Sequence, residues 1–302
     1  MKSLRDKCVF SIIFISNLLI LSSCNSSSSN GNTTVSNLQS QYMQIGNQSI
    51  HYFQTNNIQD TPILLLTGVG TTSSFWNKNF INCLALSHQV FLLDYPGIKS
   101  TIAPGESATV EYFAKITNDF VTIKGIRNPS LIGWSMGGSV ALQASFLNSS
   151  LYNHLYLLSA YVPIGQNISN PFPPHPPFKN SDDIMNYVYN NNLYDYTTNQ
   201  LNFYSNQLIS TKIADIFPSS KYTEEQMSNT IIWGNTQNAI NNFKQSTTPA
   251  TFIIPDNDTI INESEAQVGI NNYGGAKEII NVVNSGHDSS LQHPEEVCNY
   301  IK

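Results

Sequence analysis

A serine between two glycines, in Gly133-Trp134-Ser135-Met136-Gly137, is the feature of this chain that most restricts its fold. The apolar pair before it, Leu131-Ile132, is typical of a short buried strand, and the small residues after it favour the start of a helix. A one-residue turn between strand and helix strains the serine backbone, and glycines fit because the two elements cross too closely for a side chain. This pattern, a nucleophile elbow, predicts an exposed Ser135 hydroxyl beside a helix N-terminus.

Short apolar runs alternate with helical periodicity along much of the chain. Residues 42–53 alternate in polarity on both sides of Gly46-Asn47, as a β-hairpin does. Strands are predicted at 62–67, 90–93, before Ser135, 155–158, 251–254 and 277–283, with helical spacing at 75–86 and 110–121. This alternation predicts an α/β fold with a mostly parallel sheet, helices on both faces, and chemistry at the carboxyl ends of the strands.

One region, residues 162–233, interrupts the alternation. It has no convincing buried strand, and its proline cluster at 171–177 precedes short helical stretches rich in Tyr and Asn. Apolar residues recur in it with helical regularity, which favours a folded insertion over a poorly ordered loop. We expect a helical cap over the edge of the sheet that carries Ser135.

A serine hydroxyl is a poor nucleophile unless a base, an orienting carboxylate and oxyanion donors surround it. His287 is the strongest candidate base because it lies on the loop directly after the last predicted strand, at the same edge as Ser135. The other histidines have structural explanations at strands, at a helix start or in the proline cluster: His51, His88, His154, His175 and His293.

The candidate acid follows the strand at 251–254. Asp258 is preferred and Asp256 is the alternative; the order Ser, Asp, His along the chain favours a catalytic role over a turn-forming one. The backbone N–H groups of Met136, directly after the serine, and of Val69, in the Gly-rich turn after the first parallel strand, are the predicted oxyanion donors.

Taken together, these segments resemble the α/β-hydrolase fold family over residues 42–302. The segments that carry the resemblance are the Gly46 hairpin, Thr67-Gly68-Val69-Gly70, Asp94-Tyr95-Pro96-Gly97-Ile98-Lys99-Ser100, the elbow, Asp258, Ser285-Gly286-His287 and His293-Pro294-Glu295-Glu296-Val297. The family often has His at the position of Thr67 and Gly at that of Pro255. The resemblance implies a serine hydrolase acting on a carboxylic ester, as carboxylesterases and lipases do, with no metal or organic cofactor.

The resemblance also bears on two cysteines. In similar proteins the helix after the first parallel strand and the C-terminal helix pack on the same face of the sheet. These helices carry Cys83 and Cys298, so a disulfide between them is a hypothesis that the resemblance implies.

The first residues predict export and a lipid anchor. Residues 1–23 have a basic head and an apolar run too short for a comfortable membrane span, so they are expected to be a signal peptide. Leu21-Ser22-Ser23-Cys24 resembles the lipobox of bacterial lipoproteins, which implies that Cys24 carries acyl chains such as palmitate. An ordinary secretory signal with an incidental cysteine is the alternative. Residues 24–39 are expected to be a flexible tether and residues 40–302 the hydrolase domain.

Charge and location narrow the range of partners. Loss of residues 1–23 removes three basic residues and one acidic residue, which takes the formal charge from −6 to −8. An acidic body argues against nucleic acid as a partner. We expect a protein of the bacterial cell envelope, lipid-anchored at the outer membrane or the periplasmic face, that acts on a small-molecule or lipid-like ester.

Other functions stay open on the sequence alone. A carbon–carbon bond hydrolase or a cofactor-free haloperoxidase would use the same Ser, His and Asp, and a catalytically silent binding lipoprotein could share the fold. Haloalkane dehalogenases and epoxide hydrolases are disfavoured because these relatives place Asp where Ser135 stands. Large apolar residues around the elbow and in the cap suggest an apolar pocket or plain core: Phe75, Trp76, Trp134, Met136 and the cap tyrosines.

Overall fold

The computed structural model describes residues 38–302 except 58, 60, 101, 164–178, 219, 220 and 262. The described residues all belong to one compact unit, Thr33–Lys302. The predicted signal peptide, Cys24 and nearly all of the predicted tether therefore lie outside the described residues. Within the described part, no helix is both long and apolar enough to cross a membrane.

Eight strands form one sheet in the described residues, in the spatial order β1-β2-β4-β3-β5-β6-β7-β8. The strands β1 and β2 form an antiparallel hairpin, β2 pairs antiparallel with β4, and all later neighbours are parallel. The predicted mostly parallel sheet is confirmed. Its strands are β1 Gln39–Ile45, β2 Gln48–Gln54, β3 Pro62–Leu66, β4 Gln89–Leu93, β5 Ser130–Trp134, β6 Leu155–Leu158, β7 Ala250–Pro255 and β8 Lys277–Val282.

Helices follow most of the parallel strands. Helix α2 packs against α3, and α1 packs against α11. The helices are α1 Lys78–Leu84, α2 Val110–Lys124, α3 Met136–Leu147, α4 Ser181–Asn192, α5 Thr198–Gln207, α6 Ile213–Ile216, α7 Lys221–Gly234, α8 Gln237–Gln245, α9 Glu263–Asn271, α10 Ser289–Gln292 and α11 Pro294–Asn299. Helices α4 to α7 fall within the region predicted as an insertion and are called the cap below.

Burial along the strands follows from their position in the sheet. Every residue of the central strands β5, β6 and β7 is buried, as expected for apolar strands covered on both faces. Strand β8 is the edge strand with a neighbour on one side only, and of its six residues only Val282 is buried. The most buried part of the sheet therefore includes β5, the strand that leads into Ser135.

The helix predicted at 75–86 is shorter than its apolar spacing indicated. Helix α1 begins at Lys78 because the Asn77 side chain accepts hydrogen bonds from the N–H groups of Asn79 and Phe80, which caps the helix there. The residues Ser73–Phe75 form a single 3-10 turn instead. The apolar spacing continues on both sides of Asn77, so it predicted a longer helix than the structure has.

A disulfide joins Cys83 on α1 to Cys298 on α11, the pair that the family resemblance implied. The two cysteines are 215 residues apart in sequence, so the bond closes most of the domain into one loop. A cross-link over such a long loop limits the conformations of the unfolded chain.

Replacement of both cysteines by alanine is expected to lower the free energy of unfolding by about 2–5 kcal/mol. Urea unfolding of the oxidised wild type and of the Cys83→Ala/Cys298→Ala variant would measure the loss. Dithiothreitol should lower the wild-type midpoint towards that of the variant and leave the variant unchanged. A wild-type midpoint that does not respond to the reductant would show that the two cysteines are unpaired in solution.

Candidate active site

Ser135 occupies the turn between β5 and α3 with φ +55° and ψ −121°, a strained conformation for a residue with a side chain. Close packing explains the flanking glycines: a Cβ on Gly133 would collide with the backbone of Gly137, and a Cβ on Gly137 with the carbonyl of Leu66. Hydrogen bonds hold the turn on both sides, since the Ser135 N–H donates to the Leu158 carbonyl at 2.9 Å and the Ser135 carbonyl accepts from the Gly138 N–H at 2.9 Å. The packing and these hydrogen bonds thus fix the backbone conformation of Ser135.

His287 and Asp258 are joined by a hydrogen bond of 2.8 Å between Nδ1 and Oδ2. A carboxylate accepts hydrogen bonds, so Nδ1 is assigned the proton and Nε2 is left to accept one. The two side chains are 2% and 1% exposed, which shields their interaction from water. The other carboxylate oxygen, Oδ1, accepts from the N–H groups of Ile260 and Ile261, both at 2.8 Å. Asp258 is therefore fixed by backbone on one side and holds the imidazole on the other.

The alternative acid, Asp256, has different partners. Its Oδ1 accepts from Ser285 N–H at 3.2 Å and from the Asn257 side chain at 2.5 Å. Burial alone would raise the pKa of the Asp256 carboxyl, but hydrogen bonds from Asn284, Ser285 and Asn257 outweigh that effect and lower it. The Asp256 carboxylate therefore stabilises the loop before His287 through its hydrogen bond with the Ser285 N–H.

The loop that carries His287 is anchored to the elbow. The indole Nε1 of Trp134, the residue before Ser135, donates to the His287 carbonyl at 2.9 Å. On the other side, Gly286 N–H donates to Gln292 Oε1 at 2.8 Å. These two contacts link the candidate base to the candidate nucleophile through the backbone.

The turn after β3 lies against the nucleophile. A Cβ placed on Gly68 would lie 2.8 Å from the Trp134 ring and 3.2 Å from Ser135 Cβ. Thr67, where the family often has His, donates its hydroxyl to the Thr71 carbonyl at 3.1 Å and so helps to close this turn. Met136 is the first residue of α3, and the first N–H groups of a helix have no partner within the helix. Both predicted oxyanion donors, Val69 and Met136, thus belong to segments in contact with Ser135.

An apolar cavity lies between these residues and the cap. The prediction of an apolar pocket from large apolar residues is only partly right: Trp134 and Tyr187 line the cavity, whereas Phe75 stacks on Trp134 in the core, and Trp76 and Met136 are fully buried. Sequence reasoning missed most of the cap residues, which carry no motif. The lining consists of Val69, Trp134, Ser135, Ile184, Tyr187, Val188, Asn192, Thr223, Met227, Ile260 and His287.

A buried carboxylate next to the site, Asp288, was also missed by sequence reasoning. Its Oδ1 accepts from Ser290 Oγ at 2.7 Å and from Leu291 N–H at 3.1 Å, so it caps α10. Burial raises the pKa of the Asp288 carboxyl to about 6, against the opposing effect of the Ser290 hydroxyl. A carboxyl whose pKa is higher in the folded state than in the unfolded state favours folding in its protonated form.

This raised pKa predicts how stability changes with pH. The contribution of Asp288 to stability is complete below the unfolded pKa near 3.8 and is lost as the pH rises through about 6. The full effect is on the order of 3 kcal/mol. Asp288→Asn keeps the accepting oxygen, so the variant should gain stability over wild type at pH 7.5 and lose that advantage at pH 4.

Urea unfolding of both proteins between pH 4 and pH 8 would measure the difference. Asp256→Asn is the control, since the lowered pKa of Asp256 predicts the opposite sign. A difference between wild type and Asp288→Asn that is the same at every pH would contradict the raised pKa.

A second series of hydrogen-bonded Ser, His and Asp side chains joins the β1–β2 hairpin to Asp94, directly after β4. Ser40 Oγ is 2.8 Å from His51 Nε2, and His51 Nδ1 is 2.6 Å from Asp94 Oδ2. Ser40 lies within a regular strand, paired with Phe53, and so lacks the helix start and glycine turn that surround Ser135. Asp94 also accepts from Ser73 N–H at 2.6 Å. Through Asp94, this second series of side chains hydrogen-bonds the segment after β3 at Ser73. This contact agrees with the structural role expected for His51.

In the part of the chain that the structure describes, no three His, Cys, Asp or Glu side chains are grouped so that they could hold a metal ion. The candidate site consists of Ser135, His287 and Asp258 with backbone groups around them.

In a comparison with known proteins, residues 61–294 match one family model, which is described as alpha/beta hydrolase fold. Among curated proteins, an uncharacterized protein of Mycobacterium tuberculosis strain H37Rv is 31% identical over 98 residues, 32% of this chain and 28% of that protein. A pimeloyl-[acyl-carrier protein] methyl ester esterase of Wigglesworthia glossinidia brevipalpis is also 31% identical over 98 residues, 32% of this chain and 36% of that protein. The chain thus spans about a third or less of the length of the curated relatives it matches.

Solved structures resemble this one over most of both chains. A bacterial membrane phospholipase A has a TM-score of 0.70 at 19% identity, covering 88% of this chain and 85% of that one. A lipase described as putative, from Acinetobacter baumannii, has a TM-score of 0.70 at 17% identity, covering 88% and 90%. A carboxylesterase from Bacillus subtilis has a TM-score of 0.62 at 17% identity, covering 87% and 90%. At these identities the likeness concerns the fold.

Proposed function

Because the chain belongs to the alpha/beta hydrolase fold family, we propose that it is a serine hydrolase that cleaves a carboxylic ester through Ser135, His287 and Asp258. The observation that carries the proposal is the hydrogen bond from His287 to the buried Asp258, in a cavity that Ser135 also lines. A serine at a strained elbow, a base and an orienting carboxylate are the parts that acyl transfer requires.

In this proposal Ser135 Oγ attacks the acyl carbonyl while His287 Nε2 takes its proton. Asp258 keeps the imidazole in the tautomer that can accept that proton and stabilises the imidazolium that forms. The N–H groups of Met136 and Val69 hold the oxyanion of the tetrahedral intermediate. His287 then protonates the leaving alcohol, and a water molecule releases the acyl group by the reverse sequence.

The cavity supports an ester with an uncharged acyl group. Among the described residues that line it, none is Lys, Arg, Asp or Glu, and the cap contributes the apolar side chains of Ile184, Val188 and Met227. A charged acyl group would lose its hydration there without gaining a partner. A structurally similar carboxylesterase and the Wigglesworthia relative, named as a methyl ester esterase, are consistent with this class of substrate.

A fluorophosphonate probe tests the proposal, because it reacts covalently with activated serines. Peptide mapping should find the label on Ser135 in the wild type, and Ser135→Ala and His287→Ala should abolish it. Ser40 provides an internal control, since its hydroxyl lies 2.8 Å from His51 Nε2. A label that persists in Ser135→Ala and maps to Ser40 would contradict the assignment of the site.

The same protein should hydrolyse p-nitrophenyl esters of straight-chain acids from two to twelve carbons. Labelling without hydrolysis of any ester would favour a carbon–carbon bond hydrolase or a haloperoxidase instead. The absence of labelling in a folded protein would favour a binding lipoprotein.

We also propose that the mature protein is lipid-anchored through Cys24 in the bacterial cell envelope. The proposal rests on the predicted signal peptide and on the sequence Leu21-Ser22-Ser23-Cys24. Acyl chains on Cys24 would insert into the membrane, and the tether at 24–39 would link them to the domain. Metabolic labelling with an alkyne analogue of palmitate should mark the wild type and not Cys24→Ser; equal labelling of both would refute the anchor.

A further inference from the structure

The cap is joined by hydrogen bonds to the segment that follows β3. Two join Thr72 to the cap: its N–H donates to the Ile216 carbonyl at 2.9 Å and its hydroxyl to the Asp215 carbonyl at 2.6 Å. A third runs from Ile209 N–H to the Trp76 carbonyl at 3.1 Å. The segment that contains the candidate oxyanion donor is therefore attached to the cap as well as to the sheet.

Gln226 on α7 makes the contact nearest to that donor. Its Oε1 accepts a hydrogen bond of 2.8 Å from Gly70 N–H, which is next in the chain to Val69. The side chain is buried, and among the described residues its Nε2 has no hydrogen-bond partner. Because an N–H group can only donate, the amide is assigned with its oxygen towards Gly70.

Packing at Gly70 reinforces this contact. Gly70 has φ +69°, and a Cβ at this position would lie 2.9 Å from the Thr223 side chain. Thr223 and Met227 flank Gln226 on α7 and line the same cavity as Ser135. The turn at Val69 and Gly70 thus fits directly against α7, and Gln226 sets the orientation of the peptide between these two residues.

The hydrogen bond also distinguishes two adjacent N–H groups. That of Gly70 is occupied by Gln226 and is not available to a substrate, whereas that of Val69 is the donor assigned to the oxyanion. Donors stabilise an oxyanion well only when they are held in place before the reaction. A change in the Val69–Gly70 peptide would therefore alter the geometry of the neighbouring Val69 N–H.

We propose that Gln226 is a positioning residue for the oxyanion hole, so that the cap is a structural part of the catalytic machinery in addition to covering the substrate. The inference rests on the serine hydrolase activity proposed above. It predicts that loss of the Gln226 oxygen affects the transition state more than the binding of substrate.

The test is Gln226→Met, which keeps the length of the side chain and removes the acceptor. We expect kcat for the best p-nitrophenyl ester to fall about 10- to 100-fold, with KM changed less than threefold. The Ki of a trifluoromethyl ketone, whose adduct with the serine carries an oxyanion, should rise by the same factor as kcat/KM falls. Gln226→Glu, which keeps an acceptor oxygen, should retain kcat within a few fold of wild type.

Asn229→Leu is the matched control on the same helix. The Asn229 side chain donates to the Ala108 carbonyl at 3.1 Å, so the variant loses one hydrogen bond between the cap and the body but none to the turn at Gly70. It should keep wild-type kcat and inhibitor affinity. If Gln226→Met does not fold, Gln226→Ser, which is too short to reach Gly70, replaces it.

The outcomes separate the two proposals. An inactive, unlabelled wild type would contradict the serine hydrolase itself. An active wild type, with a Gln226→Met variant that keeps kcat or changes only KM, would contradict the role of Gln226 alone. Equal losses in Gln226→Met and Asn229→Leu would show that general cap stability is responsible and would also contradict it.

Discussion

Ser135→Ala is expected to lower kcat for ester hydrolysis by roughly four to six orders of magnitude while leaving the fold intact. The hydroxyl is the proposed nucleophile, and neither His287 nor the oxyanion donors can replace its covalent step. Alanine is tolerated because the strained backbone at φ +55° already accommodates a Cβ. Initial rates on a p-nitrophenyl ester, with circular dichroism to verify folding, would measure the loss.

Ser40→Ala is the control for this result. It removes a serine whose hydroxyl lies 2.8 Å from a ring nitrogen of His51, and its activity should stay close to that of wild type. A Ser135→Ala variant that retains a tenth or more of wild-type activity would exclude Ser135 as the nucleophile.

Asp258→Asn is expected to lower kcat by about 10⁴-fold, with KM nearly unchanged. The amide has the shape of the carboxylate and can still accept from the N–H groups of Ile260 and Ile261 through its oxygen. Its NH₂ group would then face His287 Nδ1, which stabilises the wrong tautomer and removes the charge that supports the imidazolium. Steady-state kinetics over pH 6–9 would measure the effect.

Asp256→Asn is the matched control, because the two carboxylates are two residues apart and the Asp256 carboxylate accepts from the loop residues Asn257 and Ser285. It should lower kcat by less than about tenfold, through small movements of the His287 loop. If the larger loss occurred in Asp256→Asn, the assignment of the acid would have to be exchanged.

Much of the fold could be predicted because local patterns report local structure. Continuous apolar runs marked the central strands correctly, and Gly46 marked the hairpin turn with its φ of +54°. The start of α1 was predicted too early because apolar spacing continued through the capping Asn77. Aromatic residues did not distinguish cavity from core: Phe75 and Trp134 stack on each other, and only Trp134 lines the cavity.

The sequence by itself determined the elements that depend on neighbours in the chain: the alternation of strands and helices, the glycine-flanked turn at Ser135, and the position of His287 directly after the last strand. Only the tertiary structure brought together groups that are far apart in sequence. It set Asp258 rather than Asp256 against His287, and Gln226 against Gly70, a pair 156 residues apart. The physical reason is that a hydrogen bond between distant segments depends on how whole elements pack, and no local pattern in either segment encodes its partner.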